Sequence, residues 1–159
     1  MGLIKKILNK LDWYLSRRKN QNFLKGLGCY GANVSIRQPV CFEGSSGIEI
    51  GNDVSIAAFV HMWGHGGIKI GSRVMIGSHS AISTITHDHT RRIMYGTIVS
   101  KPIVIQDDVW IGAHSVIMPG VTLKRGAVVG AGAVVTKDVP EDAIVMGVPA
   151  QIVKFRKYQ

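Results

Sequence analysis

Over most of this 159-residue chain, aliphatic residues recur every six positions, and each is followed four positions later by a small or β-branched residue. The aliphatic series runs Ile50, Ile56, Met62, Ile70, Ile76 and Ile82, then resumes as Ile105, Ile111, Ile117, Leu123, Val129 and Val135. Its small partners are Val54, Val60, Val74, Ser80 and Thr86, then Val109, Ser115, Val121, Ala127, Ala133 and Val139. A period of six is neither helical nor that of a long strand, but it factors into a short strand with two inward side chains followed by a corner. Gly51-Asn52-Asp53 and Gly71-Ser72-Arg73 are such corners, because Gly, Asn and Asp tolerate the backbone of a tight bend. Equal strands joined by equal corners wind into a prism of parallel strands that buries one continuous aliphatic column, a parallel β-helix. A sandwich or barrel would need longer strands at about 8–12-residue spacing with variable turns, which the fixed register contradicts.

The register breaks twice. Met62 to Ile70 spans eight positions, and Gly64-His65-Gly66-Gly67 reads as a widened corner. Ile82 to Ile105 spans twenty-three; with one strand near Thr86, the excess forms a protruding loop over about residues 87–100. Insertions in a regular scaffold commonly carry the functional site. The expected division is a basic amphipathic helix over 1–25, the repeat over 30–140, and a C-terminal segment with a basic tail over 141–159. In the first part Leu3, Ile4, Ile7, Leu8, Leu11 and Leu15 fall at helical spacing among Lys5, Lys6, Lys10 and Arg17. Packing on the β-helix or a neighbouring subunit is the favoured reading of that helix, although its basic character also permits peripheral contact with an anionic membrane.

The formal charge of +9 concentrates at the two ends, and no basic stripe with interleaved aromatics crosses the body, so no nucleic-acid partner is expected. No stretch approaches the ~20 apolar residues of a membrane-spanning helix, and the first residues lack a signal peptide's apolar run. Cys29 and Cys41 are too few for a disulfide framework. A cytoplasmic location is therefore expected, extending to the inner face of the membrane if the N-terminal helix binds there.

Histidine suits a general base because its ordinary pKa lies near neutrality. Of six, His79 and His114 fall on corners, where a solvated polar side chain is the ordinary expectation. His61 and His87 follow residues read as inward and so point outward, and His87 also opens the inserted loop. His65 and His89 complete the set.

Taken together, the repeat, the segment Ala81-Ile82-Ser83-Thr84-Ile85-Thr86-His87, the segment Asp107-Asp108-Val109-Trp110-Ile111-Gly112-Ala113-His114 and the stretch from Ala143 to Ala150 resemble the hexapeptide-repeat acyltransferases. The likeness spans roughly residues 30–155. Within that family it is nearest to the galactoside, maltose and nodulation-factor O-acetyltransferases. The resemblance implies an all-β, left-handed, three-faced helix; parallel crossovers are right-handed in about 98% of cases, so the hand comes from the likeness alone. It further implies a homotrimer with active sites between subunits, acetyl-CoA as acyl donor, no metal, and a sugar hydroxyl as acceptor; the membrane-compatible N-terminal helix, not the likeness, favours a saccharide or cell-surface polysaccharide precursor. The residues it marks are His87 as catalytic base, with His89 as runner-up, and His89 and Trp110 lining the substrate site. The Ala113 amide lies near the thioester, Ala131, Thr136 and Lys137 contact CoA, and Lys154 meets a CoA phosphate. Two departures matter: Ala57 stands where simple-sugar acetyltransferases often place an acceptor asparagine, and the basic helix replaces their longer N-terminal domain.

Three rival functions remain at this level. An amino-sugar N-acetyltransferase or a serine O-acetyltransferase is separated by acceptor assays. A carbonic anhydrase on the same helix would hold zinc with three histidines, and an inert scaffold would not bind CoA.

Overall fold

The computed structural model describes Ile7 and residues 23–158. The amphipathic helix expected over 1–25 lies outside the described residues, apart from Ile7, which is helical and exposed, Phe23 and Leu24, which are also helical, and Lys25 in the turn after them. Three parallel sheets form the faces of a prism. Each coil visits them in turn, as in Ile48–Ile50, Ser55–Ile56 and His61–Trp63, then Ile68–Ile70, Met75–Ile76 and Ala81–Ser83 one coil on. We call these the first, second and third faces.

Pairing in register stacks the six-residue period into inward columns. Ile50, Ile70, Ile105 and Leu123 align on the first face, with Val139 bridged to Leu123. Ile36, Ile56, Ile76, Ile111, Val129 and Val145 align on the second. Phe42, Met62, Ile82, Ile117 and Val135 align on the third. Apart from Phe42, all of these are buried. Removing each such side chain from water stabilises the fold by about 1.5–3 kcal/mol, so the columns together supply the driving force that no two-residue strand has alone.

The corners are as specialised as the columns. Between the first and second faces, Asn33, Asp53, Arg73, Asp108 and Asp142 all adopt left-handed backbone conformations. Their side chains ladder between coils: the Asn33 amide donates to Asp53 Oδ1 at 2.9 Å, and the Arg73 guanidinium donates to both Asp108 oxygens at 2.6 and 2.9 Å. Phe59, His79 and His114 occupy the same conformation between the second and third faces. His79 and His114 are exposed at their corners, as expected of solvated polar side chains, and their rings also pack against one another. His79 and His114 stack with ring centroids 4.6 Å apart, and Phe59 stacks on His79 at 4.8 Å.

Thr86, read from the sequence as an inward residue, is exposed; Thr84 is the buried one. The chain leaves the prism two residues earlier than the period predicts. Thr84 Oγ1 donates to the Trp63 carbonyl at 2.6 Å and accepts the Gly66 N–H at 2.9 Å, fastening the departure point to the widened glycine corner. The protruding loop expected over about 87–100 stands on an antiparallel arm, Ile85–His87 paired with Ile98–Ser100. Its far end exposes Ile93, Met94 and Tyr95. At the other end of the prism, Gln151–Phe155 reverses direction and pairs antiparallel with Ala143–Met146 on the second face. The connection is tied to the third face, where Val134 N–H donates to the Gly147 carbonyl and the Ala150 N–H to the Val134 carbonyl.

Candidate active site

His87 closes the first strand of the arm opposite Ile98, with its side chain exposed. Because Thr86 is not inward, the outward direction of His87 comes from the arm standing off the prism rather than from the repeat. The neighbouring carboxylate does not orient it. Asp88 accepts from the Thr90 hydroxyl at 2.6 Å, the Thr90 N–H at 3.0 Å and Arg91 Nε at 3.3 Å. These bonds, the Thr90 hydroxyl foremost, hold the Asp88 carboxyl below the usual carboxylate range. Asp88 instead shapes the turn after the histidine, with its own N–H on the Thr97 carbonyl at 3.0 Å. His89 is also exposed on this turn.

Ala113 and Ala131 stack in successive coils at the corner between the second and third faces, joined by the Gly132 N–H on the Ala113 carbonyl at 2.8 Å. Among the described residues neither the Ala113 nor the Ala131 N–H has an acceptor. Glycine is required beneath both: a Cβ on Gly77 would come 2.5 Å from the Ala113 nitrogen, and one on Gly112 would come 2.6 Å from the Ala131 nitrogen. The corner therefore offers two adjacent backbone donors on a surface of small residues. Trp110 lies just before it on the second face, half exposed between Met75 and Val128.

Thr136 and Lys137 are exposed on the opposite side of the third face, at the corner after Val134–Val135. That is also the corner at which the arm leaves the third face, two coils below. The site residues read from the sequence therefore divide between two corners separated by one face, and no hydrogen bond joins the two groups among the described residues.

The C-terminal strand adds a cationic cleft of about 790 Å³ lined by Ile144, Lys154, Phe155, Arg156 and Lys157. Arg156 is already committed, to the Gly126 carbonyl at 3.0 Å and to Asp142 at 3.9 Å, and its guanidinium lies over the Tyr158 ring. The Tyr158 hydroxyl donates to Asp142 as well, which pushes the phenol up from its ordinary range. Lys154 and Lys157 have no ion-pair partner among the described residues. The role of Arg156 and Tyr158 in fixing this strand is not visible in the sequence, where they belong to an undifferentiated basic tail. No group of three or more His, Cys, Asp or Glu side chains converges in metal-holding geometry among the described residues.

The repeat matches the bacterial transferase hexapeptide family (six repeats) over residues 102–137. Over 138 residues the chain is 33% identical to the galactoside O-acetyltransferase of Escherichia coli strain K12, covering 86% of this chain and 68% of that one. It belongs to the hexapeptide-repeat acetyltransferases. Among solved structures, a hexapeptide-repeat acetyltransferase of Vibrio cholerae in complex with acetyl coenzyme A superposes with a TM-score of 0.82 at 37% identity, over 91% of this chain and 79% of that one. A maltose O-acetyltransferase of Clostridium difficile gives a TM-score of 0.83 at 29% identity, over 89% and 76% of the two chains. Sequence and structure thus converge on the sugar O-acetyltransferase branch.

Proposed function

We propose that this protein transfers an acetyl group from acetyl-CoA to a sugar hydroxyl, with His87 as general base and the site assembled between copies of the chain. The observation that carries the reading is the pair of unoccupied, adjacent N–H groups at Ala113 and Ala131 on a corner kept flat by glycine. A thioester carbonyl develops negative charge as it is attacked, and fixed backbone donors at that oxygen stabilise the transition state. The acceptor hydroxyl loses its proton to the His87 imidazole, its oxygen adds to the carbonyl, and the tetrahedral intermediate expels the CoA thiolate. Carbon, proton and leaving group balance with no acetylated side chain. Trp110 and His89 line the acceptor side. The pantetheine arm leads away from the thioester at the Ala131 donor toward Thr136 and Lys137, and Lys154 faces a CoA phosphate from the cationic cleft.

Division of these residues between two corners supports an assembly in which one chain's arm meets another chain's corner; in a closed threefold ring every corner acquires such a neighbour. The half-exposed Met75 and Trp110 on the second face also fit burial against a second copy. The working protein is then a homotrimer. Among the described residues no helix is long and apolar enough to cross a membrane, and we assign the enzyme to the cytoplasm, where acetyl-CoA is its donor.

The test is CoA release from acetyl-CoA across a panel of sugars and nucleotide sugars, comparing the wild type with His87→Ala. Loss of roughly 10²–10⁴-fold in kcat with acetyl-CoA binding retained is the outcome expected of a missing general base. Full activity in the variant moves the base elsewhere, with His89 next. A panel that includes amino sugars and serine separates O- from N-transfer. Sedimentation of the same samples gives the oligomeric state, a monomer being the result that removes the shared-site reading.

A further inference from the structure

The buried polar side chains among the described residues are Ser80, Thr84 and Ser115. Two of them, Ser80 and Ser115, occupy one inward column, the position just after the corner that carries Ala113 and Ala131. The same column holds Val60 one coil below and Ala133 one coil above, both buried. Packing therefore accepts an apolar residue there, and a buried hydroxyl is unfavourable unless it is bonded.

Both hydroxyls are bonded to the same short stretch of backbone. Ser80 Oγ donates to the Gly112 carbonyl at 3.0 Å, across 32 residues of sequence. Ser115 Oγ lies 2.8 Å from the Gly112 carbonyl and 3.0 Å from the Gly130 carbonyl. A serine hydroxyl has one proton, so the arrangement that serves both carbonyls is Ser80 on Gly112 and Ser115 on Gly130. The Gly112 carbonyl receives no backbone N–H among the described residues, whereas Gly130 also accepts Ala133 N–H at 3.2 Å.

Those two carbonyls are the other halves of the two free amides. A carbonyl and the N–H of the following residue belong to one planar trans peptide and point in opposite directions. With the Gly112 and Gly130 oxygens drawn inward onto buried serines, the Ala113 and Ala131 N–H groups are turned away from the interior. We propose that Ser80 and Ser115 are positioning residues that aim these two amides at the acetyl thioester. The serines never touch the substrate. Their effect is to hold in the resting protein the direction that the donors need in the transition state, so that no reorientation accompanies the reaction. This inference rests on the acetyl-transfer reading above for its substrate, but not for the orientation of the amides.

Thr and Val have nearly the same shape and differ by hydroxyl against methyl, so the informative comparison is Ser115→Thr against Ser115→Val, repeated at position 80. Any steric disturbance is common to each pair. Removal of an oxyanion donor costs roughly 10²–10³ in kcat, and a donor that is present but no longer held is expected to lose on the order of tenfold. The expected result is a kcat for acetyl transfer about tenfold lower in each Val variant than in its Thr partner, with the acceptor KM equal in the two. In the protein without ligand, the amide nitrogen resonances of Ala113 and Ala131 shift in the Val variants and return toward wild type in the Thr variants. Equal kcat and unmoved amide resonances within each pair, whatever the thermal stability, overturn the proposal. Resonances that move in a protein whose wild type neither binds nor consumes acetyl-CoA uphold the aiming of the amides and defeat the acetyl-transfer reading instead.

Discussion

Replacement of Gly112 by alanine tests whether the corner beneath Ala131 is as close-packed as the structure makes it. A Cβ at position 112 would lie 2.6 Å from the Ala131 nitrogen and 2.9 Å from both Ala131 Cα and the Gly130 carbonyl carbon. All three are backbone atoms of the next coil, so no side chain can swing aside, and the two coils must part by most of an ångström. The bonds that clamp them at this corner are Gly112 N–H to the Val129 carbonyl at 2.7 Å and Gly132 N–H to the Ala113 carbonyl at 2.8 Å. Loss of both, at about 1 kcal/mol each, and an overpacking strain of about 1–3 kcal/mol give a destabilisation of roughly 2–4 kcal/mol, allowing for partial relaxation. The control is Gly132→Ala in the same corner, where a Cβ meets nothing within 4 Å but φ is +70°. Its cost is conformational only, about 1–2 kcal/mol. Urea unfolding at matched protein concentration compares the two, and in a heat scan Gly112→Ala should melt on the order of 10 °C below wild type. If Gly112→Ala proves no less stable than Gly132→Ala, the close approach of the coils is not what excludes a side chain there, and the geometry of the donor pair must be reconsidered.

Ile111→Ala empties a fully buried place in the second-face column and should cost about 2–5 kcal/mol in denaturant unfolding, while Tyr95→Ala at the exposed end of the arm should stay within about 0.5 kcal/mol. The Arg73 guanidinium, through its hydrogen bonds and then its charge, holds the half-exposed Asp108 carboxyl below its ordinary range. Because the folded value is depressed, that stability is present above the unfolded pKa of about 3.9 and is lost as pH falls through the folded value. Asp108→Asn should therefore cost under about 1 kcal/mol at neutral pH after solvent screening, and the gap from wild type should close in unfolding curves taken well below about pH 3.9. Lys154→Glu reverses a charge in the cationic cleft and should raise the acetyl-CoA KM on the order of tenfold at low salt, shrinking as salt is added; a salt-independent change would argue against a phosphate contact.

The inward columns are legible in the sequence because a period of six leaves no freedom in which side chains face the axis: Ile50, Ile111 and Val135 are buried where the spacing puts them. The one inward assignment that fails, Thr86, lies where the chain abandons the prism. There the period carries no information, and the departure is set instead by the bonds of Thr84 to the Trp63 carbonyl and the Gly66 N–H. Ser80 and Ser115 are visible in the sequence as small inward residues. Their convergence on the Gly112 carbonyl is not, since the Ser80 bond spans 32 positions and depends on which coil lies above which. The stack of Phe59, His79 and His114 is hidden for the same reason: His79 and His114 each read only as a polar corner, and only coil stacking brings the three rings into contact.

The reversed strand Gln151–Phe155 bears on how long a molecule of this kind can become. A parallel helix grows by accepting at its last coil another strand of the same polarity, and a second molecule's first coil could in principle serve as that strand. Pairing antiparallel with Ala143–Met146, the final segment fills that acceptor edge on the second face with a strand of the wrong direction, and the Gly147 and Ala150 bonds to Val134 occupy the adjoining edge of the third. Unsatisfied sheet edges are templates for association. The tail thus leaves the last coil no free edge of matching polarity on the second face.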